Sequence, residues 1–267
     1  MIGEIIEQNR AFKPLVHCIT NYVTANDCAN MLLACGGSAI MADDPGETAE
    51  ITSICDGLVL NMGTPNPRKI RGMQKAGKMA NLLQNPVILD PVGVGSSGMR
   101  RKAAAKLLKK VRFAAIRGNA SEIATLACGV QAHRGVDADA EGVGNALENA
   151  KWLAAKYNAV VIATGDEDIV TDGRNAYRVK NGHSMMRSVT GTGCQMSALI
   201  GAYITANPQR PLEAALAAVC AMGLCGERAW ERMDPEEGNA GYRNHIIDEI
   251  YHLTPEMLER GAKYEKC

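Results

Sequence analysis

The chain has 267 residues, of which 46% are hydrophobic and 22% are charged, as in a globular protein with a substantial core. Its 29 basic and 29 acidic residues cancel, which argues against a surface for nucleic acid or an anionic membrane. An aromatic content of 4% also argues against a base-stacking surface. A small-molecule partner is favoured by elimination. No linker-like run interrupts the chain, so we expect one domain over residues 1–267.

The amino terminus and the cysteines indicate a cytoplasmic protein. The opening segment MIGEIIEQNR carries acids and lacks the long apolar core of a signal peptide or anchor. The most apolar stretch, residues 214–225, is shorter than the ~20 residues of a membrane span and predicts a buried helix. Nine scattered cysteines without a C-x-x-C pair favour reduced, buried thiols over a disulfide framework or a zinc site.

Short apolar runs alternate with helical segments along the first two thirds of the chain. The predicted strands are residues 57–60, 87–90, 113–117 and 160–164, and the predicted helices are residues 68–84, 100–110 and 144–157. This alternation predicts βαβ units and a mainly parallel sheet with helices on both faces. A hairpin-type turn at residues 171–173 precedes a largely helical remainder from Cys194 onward.

Two glycine-containing segments match nucleotide-binding motifs in part. Residues 93–98 match G-x-G-x-x-G between a strand and a helix, but the next predicted strand offers Arg117 where that fingerprint requires an acid for the ribose. Residues 72–78 match the start of a P-loop, but Met79 stands where Ser or Thr must bind magnesium, and the match lies within a helical pattern. An NAD-dependent enzyme therefore stays an alternative, whereas a helix is favoured for residues 72–78.

The segment Val-Thr-Gly-Thr-Gly-Cys, residues 189–194, is the most informative motif. Gly191 and Gly193 permit positive φ and close approach to a ligand, and Cys194 opens an apolar helix. Free N–H groups and the positive end of the helix dipole would then converge on an anion. A plain strand-to-helix turn explains the same pattern if it is taken alone.

Polar residues at three other strand ends favour the anion-binding interpretation. Asp90 ends one predicted strand, Arg117 and the Asn-x-x-Glu pattern ending at Glu122 follow the next, and Thr164 ends a third. In parallel sheets, functional groups lie beyond the carboxyl ends of the strands. Magnesium prefers one or two carboxylates together with phosphate oxygens, which Asp90 and Glu122 could supply. Singly, Asp90 could cap a turn and Glu122 could begin a helix.

These motifs resemble the ribokinase-like superfamily and, within it, the hydroxyethylthiazole kinases. The resemblance includes residues 14–21 (PLVHCITN), 29–36 (ANMLLACG), 40–42 (IMA), 90–95 (DPVGVG) and 189–194 (VTGTGC), and it extends from about residue 14 to residue 253. Ala39 departs from a frequent proline, and residues 238–242 (GNAGY) depart from a Gly-Pro-Gly-Ser-Phe-like stretch.

The resemblance implies a three-layer α/β fold with a central sheet and no separate lid domain. It further implies that Met41 and Gly191 contact the thiazole, that Arg117 and Thr164 contact ATP, and that Asp90 and Glu122 organise Mg²⁺. Cys194 takes the place of the Asp base found in most ribokinase-like enzymes. A homotrimer with substrate sites at subunit interfaces is implied as well.

The implied reaction transfers the γ-phosphoryl of Mg-ATP to the hydroxyl of 5-(2-hydroxyethyl)-4-methylthiazole, a step of thiamine biosynthesis. Because a cysteine at a helix N-terminus has a lowered pKa, we expect Cys194 to be a partial thiolate that accepts the hydrogen bond of the substrate hydroxyl. A packing role for Cys194 stays open. The alternatives are a hydroxymethylpyrimidine or pyridoxal kinase of the same superfamily and a nucleotide sensor without turnover.

Overall fold

The computed structural model describes residues 2–128 and 146–267. Its helices are α1 (Gly3–Phe12), α2 (Ala25–Ala34), α3 (Thr48–Ser53), α4 (Pro67–Leu82), α5 (Gly98–Lys110), α6 (Ala120–Cys128), α7 (Ala146–Tyr157), α8 (Thr192–Ala206), α9 (Pro211–Arg232), α10 (Asn239–His252) and α11 (Pro255–Gly261). Its strands are β1 (Leu15–Ile19), β2 (Ser38–Ile40), β3 (Gly57–Asn61), β4 (Val87–Asp90), β5 (Ala115–Asn119), β6 (Val160–Thr164), β7 (Asp168–Thr171), β8 (Ala176–Val179) and β9 (Tyr264–Lys266).

Within the described residues, the nine strands form one sheet in the order β2-β1-β3-β4-β5-β6-β7-β8-β9. The strands from β2 to β6 are parallel, and β7, β8 and β9 continue the sheet antiparallel. Two apolar clusters lie on opposite faces, one built largely on α8 and α9 and the other on α4, α5 and α7. The predicted α/β layering, with a mainly parallel sheet between helices, is confirmed.

The central helix α8 packs directly over the middle of the sheet, against β3 and β4. Its sequence is apolar nearly all round because α2, α9 and α1 cover its remaining sides. Gly201 permits this close packing, since a Cβ there would collide with the side chain of Val59 on β3. The amino end of α8 is thereby fixed at the carboxyl edge of the parallel strands.

Most predicted elements occur in the structure, with shifts at their ends. The strands at residues 87–90 and 160–164 have their predicted bounds, whereas β5 begins at Ala115, two residues after the predicted start. The predicted helix at 144–157 is observed as α7, and its first two residues lie outside the described ranges. Residues 72–78 lie inside α4, so the helical interpretation is confirmed there. The apolar run 214–225 lies in α9 and is buried.

No helix in the described ranges is both long and apolar enough to cross a membrane. The cysteines singled out in apolar segments, Cys35, Cys55 and Cys220, are free and buried as predicted. Cys128 and Cys267 are exposed.

Candidate active site

Polar side chains from several elements meet at the carboxyl edge of the parallel strands. Asn61 and Asp90 are register partners at the ends of β3 and β4, and Asn119 and Thr164 are register partners at the ends of β5 and β6. Arg117 lies on β5, two residues before its end. The structure therefore brings Asp90, Arg117 and Thr164 to one edge, as their positions after predicted strands indicated.

The amino end of α8 lies against this edge. Gly191 is its N-cap residue and has φ of 89°, a left-handed conformation that favours glycine. A Cβ at Gly191 would also collide with the side chain of Thr24, so the turn passes close to the segment before α2. The sequence predicted that the helix begins at Cys194, but it begins two residues earlier, at Thr192. Cys194 consequently lies in the first turn, near the positive end of the helix dipole.

The sulfur of Cys194 is held by two asparagine amides. Asn21 Nδ2 lies 3.3 Å from Cys194 Sγ, and Asn61 Nδ2 lies 3.2 Å from the same atom. Asn21 also donates to Asn61 Oδ1 at 3.1 Å, so the two amides form one network. Both asparagines are buried. The sulfur is therefore a hydrogen-bond acceptor on the side that faces β1 and β3.

The expected thiolate at Cys194 is not supported. Burial raises the pKa of Cys194, and the nearby carboxylate of Asp90 raises it further, while the bonds from Thr24, Asn61 and Asn21 lower it by less. The expectation relied on the helix N-terminus alone, and the two tertiary effects outweigh it. Both effects favour the protonated, neutral thiol at Cys194.

Asp90 is fully buried at the end of β4. Its Oδ2 accepts hydrogen bonds from Ser197 Oγ at 2.7 Å and from Asn61 Nδ2 at 2.9 Å, and it lies 3.8 Å from Arg117 Nη1. Its Oδ1 is buried without a hydrogen-bond partner. Burial raises the pKa of Asp90 to about 7, against the opposing effect of Arg117. One oxygen of this carboxylate is therefore available to a ligand.

The guanidinium of Arg117 lies at the amino end of α8. Its Nη2 donates to Thr164 Oγ1 at 2.8 Å, and its Nε is buried without a partner. A Cβ on Gly193 would collide with the guanidinium, so only glycine permits this approach. Cationic charge and the positive end of a helix dipole repel each other, and an anion between them relieves that repulsion. The arrangement favours a polyanionic ligand.

A cavity of about 820 Å³ opens beside Arg117. Its walls include Thr164, Gly193 and Asp168 near the strand ends, and His183 farther along the chain. His183 stacks on Trp230 with ring centroids 4.5 Å apart. A cavity of this size accommodates a ligand as large as a nucleotide.

Glu122 binds backbone groups of two loops. Its Oε2 accepts from Asn119 N at 2.8 Å while its own N donates to Asn119 Oδ1 at 2.8 Å, which is a capping box at the start of α6. Its Oε1 accepts from Gly93 N at 2.7 Å, so Glu122 also holds the loop after β4. The glycine-rich segment 93–98 is thus tied to Glu122.

Met41 lies on the loop after β2, and its residue is 38% exposed. The loop is anchored where His17 Nε2 bonds Ala42 O at 2.8 Å. Two strands, β1 and β3, separate β2 from β4 in the sheet, so Met41 lies at the same edge as Asp90 but to one side of it.

The structure adds three polar residues that the sequence did not single out: Asn21, Asn61 and Ser197. Asn61 follows the predicted strand 57–60 directly, so inspection of strand ends could have identified it. Ser197 is one helical turn after Gly193, whose carbonyl oxygen lies 3.2 Å from Ser197 Oγ and shares the single hydroxyl hydrogen of Ser197 with Asp90. Asn61 and Ser197 donate to the same oxygen of Asp90, which follows from the register of β3 with β4 and from the packing of α8 over β4.

The donors at this edge are suitable for magnesium but not for a site built from protein ligands alone. In residues 2–128 and 146–267, no three histidine, cysteine, aspartate or glutamate side chains converge to hold a metal ion. Magnesium commonly takes one or two carboxylates and completes its shell with water and phosphate oxygens. The unpartnered Oδ1 of Asp90 meets that requirement.

Comparison with known proteins decides the family. Residues 6–256 match the model of the hydroxyethylthiazole kinase family. The chain belongs to this family. It is 54% identical to a Clostridium acetobutylicum protein named hydroxyethylthiazole kinase, over 99% of both chains. It also superposes on the structure of the hydroxyethylthiazole kinase protein from Pyrococcus horikoshii with a TM-score of 0.89 and 33% identity, covering 100% of this chain and 98% of that one.

A structure of much lower sequence identity shares the fold of this chain. The Staphylococcus aureus pyridoxal kinase, in a structure with ADP, has a TM-score of 0.65 but only 16% identity, over 96% of this chain and 99% of that one. This likeness concerns the fold alone. The ribokinase-like architecture expected from the sequence is confirmed, and the pyridoxal-type alternative is not favoured.

Proposed function

We propose that this chain transfers the γ-phosphoryl group of ATP to the primary hydroxyl of 5-(2-hydroxyethyl)-4-methylthiazole, giving the phosphate used in thiamine biosynthesis. The observation that carries the proposal is the convergence of Arg117 with the amino end of α8, beside Cys194 and Asp90. That convergence places a site for the ATP phosphates beside a site for the alcohol that accepts the phosphoryl group. The family match and the names of its members supply the identity of the alcohol.

On the donor side, Arg117 and Thr164 bind the phosphates of ATP. The guanidinium is oriented by its bond to Thr164 Oγ1, and Gly193 in the first turn of α8 lies directly against it. The first backbone N–H groups of a helix have no partner within the helix and can bind an anion there. Phosphoryl transfer passes through a loose transition state, so positioning and charge stabilisation supply most of the rate enhancement. Gly193 allows the guanidinium and the helix end to act on the same phosphoryl oxygens.

On the acceptor side, Cys194 receives the substrate hydroxyl, and Met41 and Gly191 contact the thiazole ring. The amides of Asn21 and Asn61 fix the position of the sulfur. A loose transition state needs little proton removal before the phosphorus–oxygen bond forms. A neutral thiol can therefore orient the hydroxyl by a hydrogen bond. As the new phosphorus–oxygen bond forms and the bond to ADP breaks, the hydroxyl proton passes to an oxygen of the transferred phosphoryl group.

Asp90 and Glu122 organise Mg²⁺ in this proposal. Asp90 supplies its free Oδ1, and Glu122 acts from the adjacent loop, which it holds through Gly93. When bound, the ion neutralises charge that develops on the phosphate oxygens. The buried Asp90 is kept in place by Ser197 and Asn61, which leaves only one oxygen for a ligand.

We further propose a homotrimeric, cytoplasmic enzyme in which residues 1–267 form one kinase domain. Two apolar residues beside Asn21 support a subunit interface next to the acceptor side. Tyr22 is 76% exposed and Val23 is 61% exposed. Light scattering coupled to size-exclusion chromatography measures the oligomer directly, and a monomer at assay concentrations contradicts this part of the proposal.

Steady-state turnover of ATP with a panel of small alcohols tests the function. We expect the thiazole alcohol to give the highest kcat/KM, with product confirmed by mass spectrometry. Preference for a hydroxymethylpyrimidine or for pyridoxal would transfer the assignment to another branch of the superfamily. Binding of NADH without use of ATP, or binding of ATP without turnover of any alcohol, would refute the kinase assignment.

A further inference from the structure

Lys69, a buried lysine on α4, is not among the residues proposed above to bind ATP or magnesium. The Lys69 side chain is 3% exposed. Lysine is rarely buried, because removing an ammonium from water is costly unless the group is paired and hydrogen-bonded. The contacts of Lys69 therefore indicate its role.

The ammonium of Lys69 has three neighbours. Its Nζ donates to the carbonyl oxygen of Thr20 at 2.9 Å and lies 3.4 Å from Asp43 Oδ2. It also lies 5.4 Å from the centroid of the Tyr22 ring, within the range of a cation–π interaction. An ammonium has three N–H groups, so these neighbours can engage all of them. The geometry is that of a clamp between protein segments.

Each clamped segment carries a residue of the acceptor side. Thr20 and Tyr22 flank Asn21, whose amide contacts Cys194 Sγ. Asp43 lies two residues after Met41, on the loop that follows β2. We propose that Lys69 is a positioning residue for the alcohol substrate, holding the Asn21 segment and the Met41 loop at a fixed separation. The inference rests on the proposed function and deepens its acceptor site.

Other contacts between α4 and the Met41 loop differ from this clamp. Lys75 Nζ donates to Pro45 O at 2.7 Å, and Arg68 pairs with Asp44, both in exposed positions. Exposed ion pairs contribute little because water screens them. Neither contact reaches the Asn21 segment. Lys75 therefore provides a control in which a lysine contact to the same loop is lost without the clamp.

The test compares Lys69→Met with Lys75→Met in the full-length enzyme. Methionine keeps a long apolar side chain and removes the ammonium. We expect Lys69→Met to raise the KM for the thiazole alcohol about tenfold, as for the loss of one hydrogen bond to a charged group. The KM for ATP should change by less than about twofold, because Arg117 and Thr164 are not in contact with the clamp. Lys75→Met should leave both constants near those of the parent.

Two kinetic outcomes overturn the proposal. One is a folded Lys69→Met enzyme with an unchanged KM for the alcohol, and the other is an equal rise in both KM values. Hydrogen exchange adds a readout independent of turnover: amides of residues 41–44 should exchange faster in Lys69→Met than in Lys75→Met. Equal exchange in the two variants contradicts the clamp.

A second variant covers the case in which Lys69→Met does not fold. Asp43→Asn removes the charged partner from an exposed position and should raise the KM for the alcohol by a smaller factor, without affecting that for ATP. An unchanged KM in Asp43→Asn then refutes the clamp. The parent enzyme is assayed first, so failure of the proposed function is seen independently. If the parent prefers another alcohol, the same constants are measured with that alcohol.

Discussion

Asn61 connects Cys194 to Asp90 through a single amide nitrogen. Its Nδ2 lies 3.2 Å from Cys194 Sγ and 2.9 Å from Asp90 Oδ2. The residue proposed to receive the alcohol and the residue proposed to bind magnesium thus share one donor. Because the amide is buried and its oxygen is bonded to Asn21 and Gly63, it cannot rotate without breaking other bonds. A change at either partner should therefore affect the other.

This shared donor makes the substitution of Cys194 informative. If the Cys194 thiol orients the substrate hydroxyl by a hydrogen bond, Cys194→Ala should lower kcat by about tenfold or more, less than full general base catalysis gives, with little change in the KM for ATP. Cys194→Asp should retain or improve kcat, because its carboxylate accepts the same bonds from Asn21 and Asn61 near the helix dipole. It should also lower thermal stability, since a second acid would lie beside buried Asp90.

Kinetics and thermal melting of both variants test the role of Cys194. A packing role predicts the reverse order of activity, with Ala close to the parent and Asp impaired by negative charge near the incoming phosphates. An Ala variant that is more active than the Asp variant rules out the hydrogen-bonding role.

Glu122→Gln separates a metal role from the capping role seen in the structure. Glutamine keeps one oxygen for a backbone N–H but loses the charge, and its amide group cannot accept the second such bond. We expect lower turnover and a higher Mg²⁺ concentration for half-maximal rate. The measurement is a magnesium titration at saturating ATP.

Glu148→Gln is the matched control for Glu122, because Glu148 is an exposed acid in the first turn of α7. It should leave the magnesium titration unchanged. If Glu122→Gln lowers only the melting temperature and leaves the magnesium dependence unchanged, Glu122 acts through the loop at Gly93 alone.

The sequence predicted the fold and the donor side better than the acceptor side. The strands ending at Asp90 and Thr164 were predicted with correct bounds because apolar runs stop at Asp-Pro and Thr-Gly turns. The strands β1 and β2 were not predicted, since buried His17 interrupts the apolar pattern of one and the other has three residues at the sheet edge. Local pattern cannot indicate that His17 bonds Thr52 and Ala42.

The error at Cys194 has the same origin. A helix N-terminus is a local feature that the sequence reveals, and it predicts a lowered pKa. Burial and the Asp90 carboxylate act through tertiary structure and raise the pKa instead. The clamp at Lys69 was likewise not predicted, because its contacts come from segments 49 and 26 residues earlier in the chain.

Asp168 gives a prediction on stability and pH. Burial raises its pKa to about 6, although Gly165 N and Arg117 favour the charged form. The folded state therefore holds the proton more strongly than the unfolded state, whose aspartate pKa is about 3.9. Stability is lost as pH rises from about 4 to about 6, and the loss persists at neutral pH. A shift of about two pKa units corresponds to at most about 3 kcal/mol.

Asp168→Asn should accordingly raise the free energy of unfolding by about 1–3 kcal/mol at pH 7.5 and by much less at pH 4.5, because asparagine keeps the oxygen that accepts from Gly165 N at 3.0 Å. Asp172→Asn is the control of opposite sign. Burial opposes ionisation there too, but bonds from the backbone N–H groups of Asn175 and Arg174 lower its pKa overall. That variant should be less stable than the parent at pH 7.5. Urea denaturation at the two pH values measures the free energy of unfolding of both variants. If Asp168→Asn does not raise the free energy of unfolding at pH 7.5, the charge of Asp168 does not destabilise the parent.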